Sequence, residues 1–287
     1  MLHKRRQAQR FRAAVFLASL FLMLSACGGD ERRSDSDAPT PTVTGTPVPT
    51  DSPSVAATPL IPDAPRENGE AEAAALCASG ELVAPEALYE TFKNDFAAIR
   101  AEFAGSIPAV NEIGFAPPWV VGQLILGVTE LGAEAIRNGE AHGLDSLNSI
   151  YHLAHMDMTN LDSFSPRVLL TFKGRLHPLR LTEIYRSSLD ILRYAQPNWF
   201  VGDSSKAYPR VSAEERRYLF RQAWGDCPAG CIYSRFWYFR VTDAGIEYVG
   251  TWDRTDPEPP WWPEARVAME QYCMLGGPHS STVPRLN

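Results

Sequence analysis

Tyr89, Phe92, Phe96, Ile99 and Phe103 recur three and four residues apart after Pro85, a spacing that places them on one face of an amphipathic helix ending near Gly105. Gln123 to Val128 reads as a strand. From Thr129 to Tyr151 the helical spacing returns in Leu144, Leu147 and Tyr151, with Gly132, Gly139 and Gly143 expected as breaks. Leu153 to Met158 alternates like a half-buried strand, with Ala154, Met156 and Met158 on one side and His155 and Asp157 on the other. Arg167 to Phe172 predicts a stronger strand. A helix opening at Pro178 then aligns Leu181, Ile184, Tyr185 and Leu189, and Ile191 to Ala195 predicts a closing strand.

Strand, helix, strand, strand, helix, strand is the order of the ferredoxin-like split βαβ arrangement, built from two right-handed crossovers. Beyond it, Arg217 to Trp224, Ile232 to Val241 and Ile246 to Trp252 alternate aromatic or apolar residues with polar ones, and Asp243-Ala244-Gly245 is a turn. The fold class expected is therefore α+β, a ferredoxin-like βαββαβ segment followed by a disulfide-stapled antiparallel β meander.

Composition divides the chain. Lys4, Arg5, Arg6, Arg10 and Arg12 precede an apolar run from Ala13 to Leu24 that is too short to span a bilayer, the form of an export signal. Residues 30 to about 72 are rich in Pro, Thr, Ser and Asp and poor in bulky apolar groups, so they read as a tether. At ~3.1 Å per residue, some forty extended residues would reach roughly 120 Å. The expected organisation is a signal at 1–26, a lipidated cysteine and tether at 27–72, a helix plus ferredoxin-like domain at 73–200, and a β-rich module at 201–287. The whole chain carries a net charge of −7, and removal of the five basic residues with no acidic one takes it to −12. Such a body is repelled by nucleic acid and by anionic lipid.

Leu24-Ser25-Ala26-Cys27, followed by Gly28-Gly29, resembles the lipobox of bacterial lipoproteins. The resemblance implies diacylation of the Cys27 thiol and cleavage just before it. The protein is then expected in the cell envelope, held outside the cytoplasmic membrane by its acyl groups. The stretch LTEIYRSSLDILRYAQPN resembles the last helix and strand of subtilase propeptides, which implies a ferredoxin-like fold and, as one function, serine-protease inhibition or folding assistance through a product-like tail. GDCPAGCIYSRFWYFRV is similar to a module of secreted bacterial proteins, a resemblance that implies a hairpin and no activity.

In an exported chain Cys77, Cys227, Cys231 and Cys273 read as two disulfides with three possible connectivities. Cys227–Cys231, bent by Pro228 and Gly230, with Cys77–Cys273 joining the ends, is the favoured pairing. Three residues stand between Cys227 and Cys231 where a thioredoxin-like site has two, and no zinc-like ligand spacing occurs. No cofactor or metal is expected, and His152, His155 and Asp157 read as structural.

Trp237 and Phe239 should share one strand face and Phe236 and Tyr238 the other. If one face stays open, Trp237, Trp252, Trp261 and Trp262 are candidate ligand-binding rings for a glycan or a proline-rich peptide, beside Asp253, Asp256 and Glu258. Asp253 and Asp256 also admit a hydrolase acting on envelope polymers. No nucleophile elbow, phosphate loop, dinucleotide fingerprint or His-Glu-x-x-His occurs. The expectation is a binding or interaction module with a protein, peptide or glycan ligand, and not an enzyme.

Overall fold

The computed structural model describes residues 60–140, 143–159, 166–187, 190–212, 215–270 and 272–273. Asn68 caps the first helix, α1 (Gly69–Ser79), by accepting from the Ala71 N–H at 3.0 Å, and Gly80, at φ 64°, ends it. Ala71, Ala73, Ala74, Ala75 and Leu76 are all buried, and this alanine-rich helix packs on α2 (Glu86–Phe103). The expected stripe of α2 is buried through Tyr89, Phe92, Phe96 and Ile99. A short turn of helix, α3 (Ala109–Glu112), follows.

β1 (Trp119–Val128), β2 (Leu153–Thr159), β3 (Arg167–Phe172) and β4 (Leu192–Trp199) form one sheet in the order β2-β3-β1-β4, with every neighbouring pair antiparallel. α4 (Glu130–Asn138) and α5 (Leu144–Ile150) lie in the β1–β2 connection and α6 (Pro178–Arg186) in the β3–β4 connection. Leu124, Leu126, Val128, Val168, Leu170 and Phe172 join Ala133, Leu144, Leu181 and Tyr185 in the core of this unit. The opposite face mixes the half-buried pair Ile125 and Leu169 with polar residues. There Asn198 Nδ2 donates to Gln123 Oε1 at 2.7 Å, and Gln123 Nε2 to Thr171 Oγ1 at 3.4 Å.

β5 (Lys206–Val211), β6 (Arg216–Trp224), β7 (Tyr233–Thr242) and β8 (Gly245–Asp253) form a second, fully antiparallel meander. Its two faces are both covered. Tyr218, Phe220, Trp237 and Phe239 pack on α1 and α2, with Phe96 edge-on to Tyr218 at 5.3 Å and to Phe220 at 6.3 Å. Leu219, Phe236, Tyr238 and Trp252 pack under α7 (Trp262–Glu270).

Several expectations are corrected. Residues 60–72 belong to the folded body: Ile61 is buried in the core of the first sheet, and Arg66 Nη2 donates to Ala84 O at 2.9 Å. Composition marks them as linker because prolines and charges outnumber the single anchoring isoleucine. The boundary at residue 200 also fails to separate packing units, because α1 and α2 cover the second sheet and the first-sheet unit is inserted between them and their partner strands. Gly132 lies inside α4, where a Cβ would stand 3.0 Å from Ile191 Cβ, so it is a close-packing residue and no break. Gly139 and Gly143, at φ 68° and 79°, do bound the two helices. In β2 the register shifts between Leu153 and His155, which leaves Ala154 exposed and lets Leu153 and Met156 both reach the core. β4 continues through Pro197 to Trp199, tolerable because β4 is an edge strand. α1, α3, β5 and α7 are not among the elements the sequence predicts, and Leu189 lies outside the described residues.

The two ends of the body are joined as favoured, Cys77 to Cys273, over a sequence separation of 196. Polar ties reinforce the join. Buried Asp95 of α2 accepts from Tyr218 Oη, and from Arg216 Nε at 2.7 Å. Buried Glu72 of α1 faces Arg66 and, at 3.3 Å, Arg175 Nε on the inserted unit. Burial raises the Glu72 carboxyl above its ordinary value even though the Arg66 N–H and both guanidinium charges oppose this. His177 caps α6, its Nδ1 accepting from Leu179 N at 3.3 Å, and its ring lies 4.8 Å from that of buried Trp119.

Two predictions follow from these ties. Replacing Cys77 and Cys273 with Ser releases a very long loop in the unfolded chain and should cost about 5 kcal/mol, read from the denaturant midpoint of each protein. Burial, and secondly the Arg180 charge, push His177 down to about 4. The unfolded chain therefore takes up a proton near pH 6.5 that the folded protein refuses until about pH 4. Stability should fall by roughly 3 kcal/mol as pH drops through that window. His177→Asn keeps a capping acceptor and should remove this fall. Glu72 contributes with opposite sign in both proteins, so an unchanged difference between the two pH profiles would sink the assignment to His177.

Candidate functional site

The four tryptophans proposed as a ligand site do not meet on a surface. Trp237 is buried on the α2 side of the second sheet, whereas Trp252 and Trp262 are buried on the α7 side, their ring centroids 4.3 Å apart. Trp261 is half-buried, stacked on Tyr238 at 5.5 Å and pressed against Gly250, where a Cβ would stand 2.8 Å from its Nε1. The strand-face alternation read from the sequence holds, but both faces are core. These residues are corrected to packing roles.

The acidic candidates are engaged or isolated. Asp253 accepts from Thr255 N at 3.2 Å and Thr255 Oγ1 at 3.0 Å, bonds that, with Arg235, hold its carboxyl below the usual range. Asp256 is exposed, and its backbone carbonyl accepts from Trp252 Nε1 at 3.0 Å. His152 pairs with Asp63 and His155 with Asp157, each at 2.8 Å. Among the described residues no group of three or more His, Cys, Asp or Glu is placed to hold a metal ion. Cys27 lies outside the described residues. No helix among them is long and apolar enough to cross a membrane.

A different cluster emerges at the end of the second sheet. Trp224 and Tyr233 are the last register pair of β6 and β7, their rings stacked 5.9 Å apart. They stand on the same face as Phe220 and Trp237, four residues further along each strand, and are exposed where that pair is buried. Between them the turn 225–231 is closed by Cys227–Cys231. Gly225, at φ 102°, lets Ile232 pack 3.1 Å from the place its Cβ would occupy.

The link from the first sheet runs alongside this turn. Phe200 N donates to Pro118 O at 3.0 Å, and Asp203 N to Cys227 O at 2.8 Å. Gly202, at φ 91°, fits because a Cβ there would sit 3.1 Å from Cys227 O. Beneath, buried Arg221 donates through Nη1 and Nη2 to the two oxygens of Asp203 at 2.9 and 2.6 Å, and through Nε to Ser234 Oγ at 2.9 Å. Burial works against the Asp203 carboxylate. The Arg221 bonds, the Ser204 N–H and Lys206 outweigh it and hold the group far below its ordinary value.

Trp199 at the end of β4, Phe200 and Val201 in the link, and Trp224, Ile232 and Tyr233 in the hairpin are all exposed. They are six of the ten large exposed hydrophobics among the described residues. Their concentration in two adjoining segments makes this a candidate interaction surface, a signal that scattered single residues do not carry. Sequence reading missed the cluster, although Trp199-Phe200-Val201 in a non-periodic link ahead of Gly202-Asp203-Ser204-Ser205 carried a signal. Compared with known proteins, the chain matches no family model, no curated protein and no solved structure.

Asp203→Ala would strand the Arg221 guanidinium, and we expect it to cost about 3 kcal/mol in a urea titration. Asp226→Asn, on the exposed turn, should cost nothing measurable. Equal effects of the two would show that the Arg221–Asp203 pair does not hold the link to the hairpin.

Proposed function

We propose that this protein is an exported lipoprotein of the cell envelope, anchored through acyl groups on Cys27, whose folded body is a binding module with the hairpin cluster as its working surface. The observation that carries this reading is that six of the ten large exposed hydrophobics among the described residues fall in two segments, 199–201 and 224–233, which meet beside one disulfide-closed turn where Asp203 N donates to Cys227 O at 2.8 Å. A rigid turn loses little conformational freedom on binding, which favours a contact surface over a mere loop.

In the same reading the unit from Trp119 to Trp199 is ferredoxin-like. Its strand order β2-β3-β1-β4, its antiparallel neighbours and the helices in both long connections support this. It serves as scaffold. A product-like inhibitory tail would have to leave the last strand freely, whereas the residues after β4 are bonded to Pro118 and Cys227. The hydrolase alternative draws no support from Asp253, whose Oδ1 caps its own turn and whose Oδ2 accepts from Arg235.

Cells fed labelled palmitate should transfer label to the wild-type chain and none to Cys27→Ser. Label on the variant, or none on the wild type, would sink the anchor. For the surface, ANS fluorescence of the folded protein should fall at least about twofold in the Trp224→Ser/Ile232→Ser double variant with its melting temperature nearly unchanged; an undiminished signal would remove the cluster from consideration.

A further inference from the structure

We propose that the hairpin cluster docks on the lipid surface to which Cys27 tethers the chain, so that the body lies on the membrane with Trp199, Phe200, Val201, Trp224, Ile232 and Tyr233 in the interfacial layer. This rests on the anchored reading above.

Four observations favour lipid as the occupant. The residue types are those of a membrane interface, with Trp and Tyr carrying an apolar ring and a polar edge, and Phe, Ile and Val supplying apolar area. The side chains project outward: Val201 is 97% exposed, Phe200 59% and Ile232 58%. Neither segment has a charged group to recognise a charged partner except Asp226, since 199–202 holds none and 224–233 holds that one. The neighbouring Arg221 pairs with Asp203, and Arg235, on the same sheet face as Tyr233, pairs with Asp253. A single carboxylate on an acidic body points to zwitterionic lipid and away from anionic lipid.

The length of chain outside the described body supplies the fourth. Thirty-two residues separate Cys27 from Leu60. Even fully extended they hold the body within about 110 Å of its anchor. Confinement to that distance corresponds to an effective concentration on the order of a millimolar, so a contact too weak for a free protein becomes populated for a tethered one. The hairpin is also preorganised by Cys227–Cys231 and by the Arg221–Asp203 pair, so docking needs no ordering of the backbone.

The test uses the processed full-length chain reconstituted into phosphatidylcholine vesicles, with and without lipids brominated along the acyl chains. Trp119, Trp237, Trp252 and Trp262 are buried and Trp261 is stacked on Tyr238, so quenching by bromine reports chiefly on Trp199 and Trp224. We expect quenching of at least about a quarter of the emission. It should be lost in Trp199→Phe/Trp224→Phe, reduced severalfold in Val201→Asp/Ile232→Asp, and weaker when phosphatidylglycerol replaces half the lipid. Val201 is so exposed that its substitution leaves the fold intact, which separates docking from misfolding. Flotation with the vesicles but no quenching overturns the docking while leaving the anchor standing. Failure to float overturns the anchor and the docking with it. Flotation with Trp199 and Trp224 shielded from acrylamide yet unquenched by bromine overturns lipid docking in favour of a protein covering the cluster.

Discussion

One face of the second sheet must be covered, and its cover comes from the far end of the chain. Tyr218, Phe220, Trp237 and Phe239 present aromatic area that no strand neighbour can hide, and α2 lays Phe92, Phe96 and Ile99 against it. The Asp95–Tyr218 hydrogen bond crosses a sequence separation of 123 at this contact. Everything between α3 and β5 is consequently an insertion. It must leave and return at neighbouring points, which is why Trp119, the first residue of β1, and Trp199, the last of β4, form a register pair. The Cys77–Cys273 bond closes the outer unit and limits how far its two ends can separate.

The point of return is also where the exposed cluster arises. The link out of β4 meets the β6–β7 turn, and Arg221 fastens one to the other through Asp203 and Ser234. Trp224 and Tyr233 lie on the face of Phe220 and Trp237 but beyond the Gln222–Arg235 pair, and are exposed where Phe220 and Trp237 are core.

Buried charge in the body is placed where units meet. Asp95 ties helix to sheet, Glu72 ties α1 to the inserted unit through Arg175, and Arg221 ties link to hairpin. Each is paired, as the cost of an isolated buried charge requires. At Glu72 burial outweighs the partners and leaves the carboxyl above its ordinary value.

Local periodicity made α2, β1, β3, α6, β6, β7 and β8 legible from the sequence, because each element buries one face and its apolar residues recur at its own period. The same rule hid α7 behind prolines and tryptophans, and hid residues 60–72 behind a linker-like composition that one buried isoleucine overrules. The cysteine pairing favoured on spacing was correct, while Gly132 could not be recognised as a packing residue without Ile191 beside it. Strand alternation by itself determined which rings of β7 share a face. Which faces are covered, and therefore that Trp237, Trp252 and Trp262 are core while Trp199, Trp224 and Tyr233 are surface, only the tertiary structure decided. Burial depends on which distant segment arrives to exclude water, and that segment leaves no mark in the local pattern.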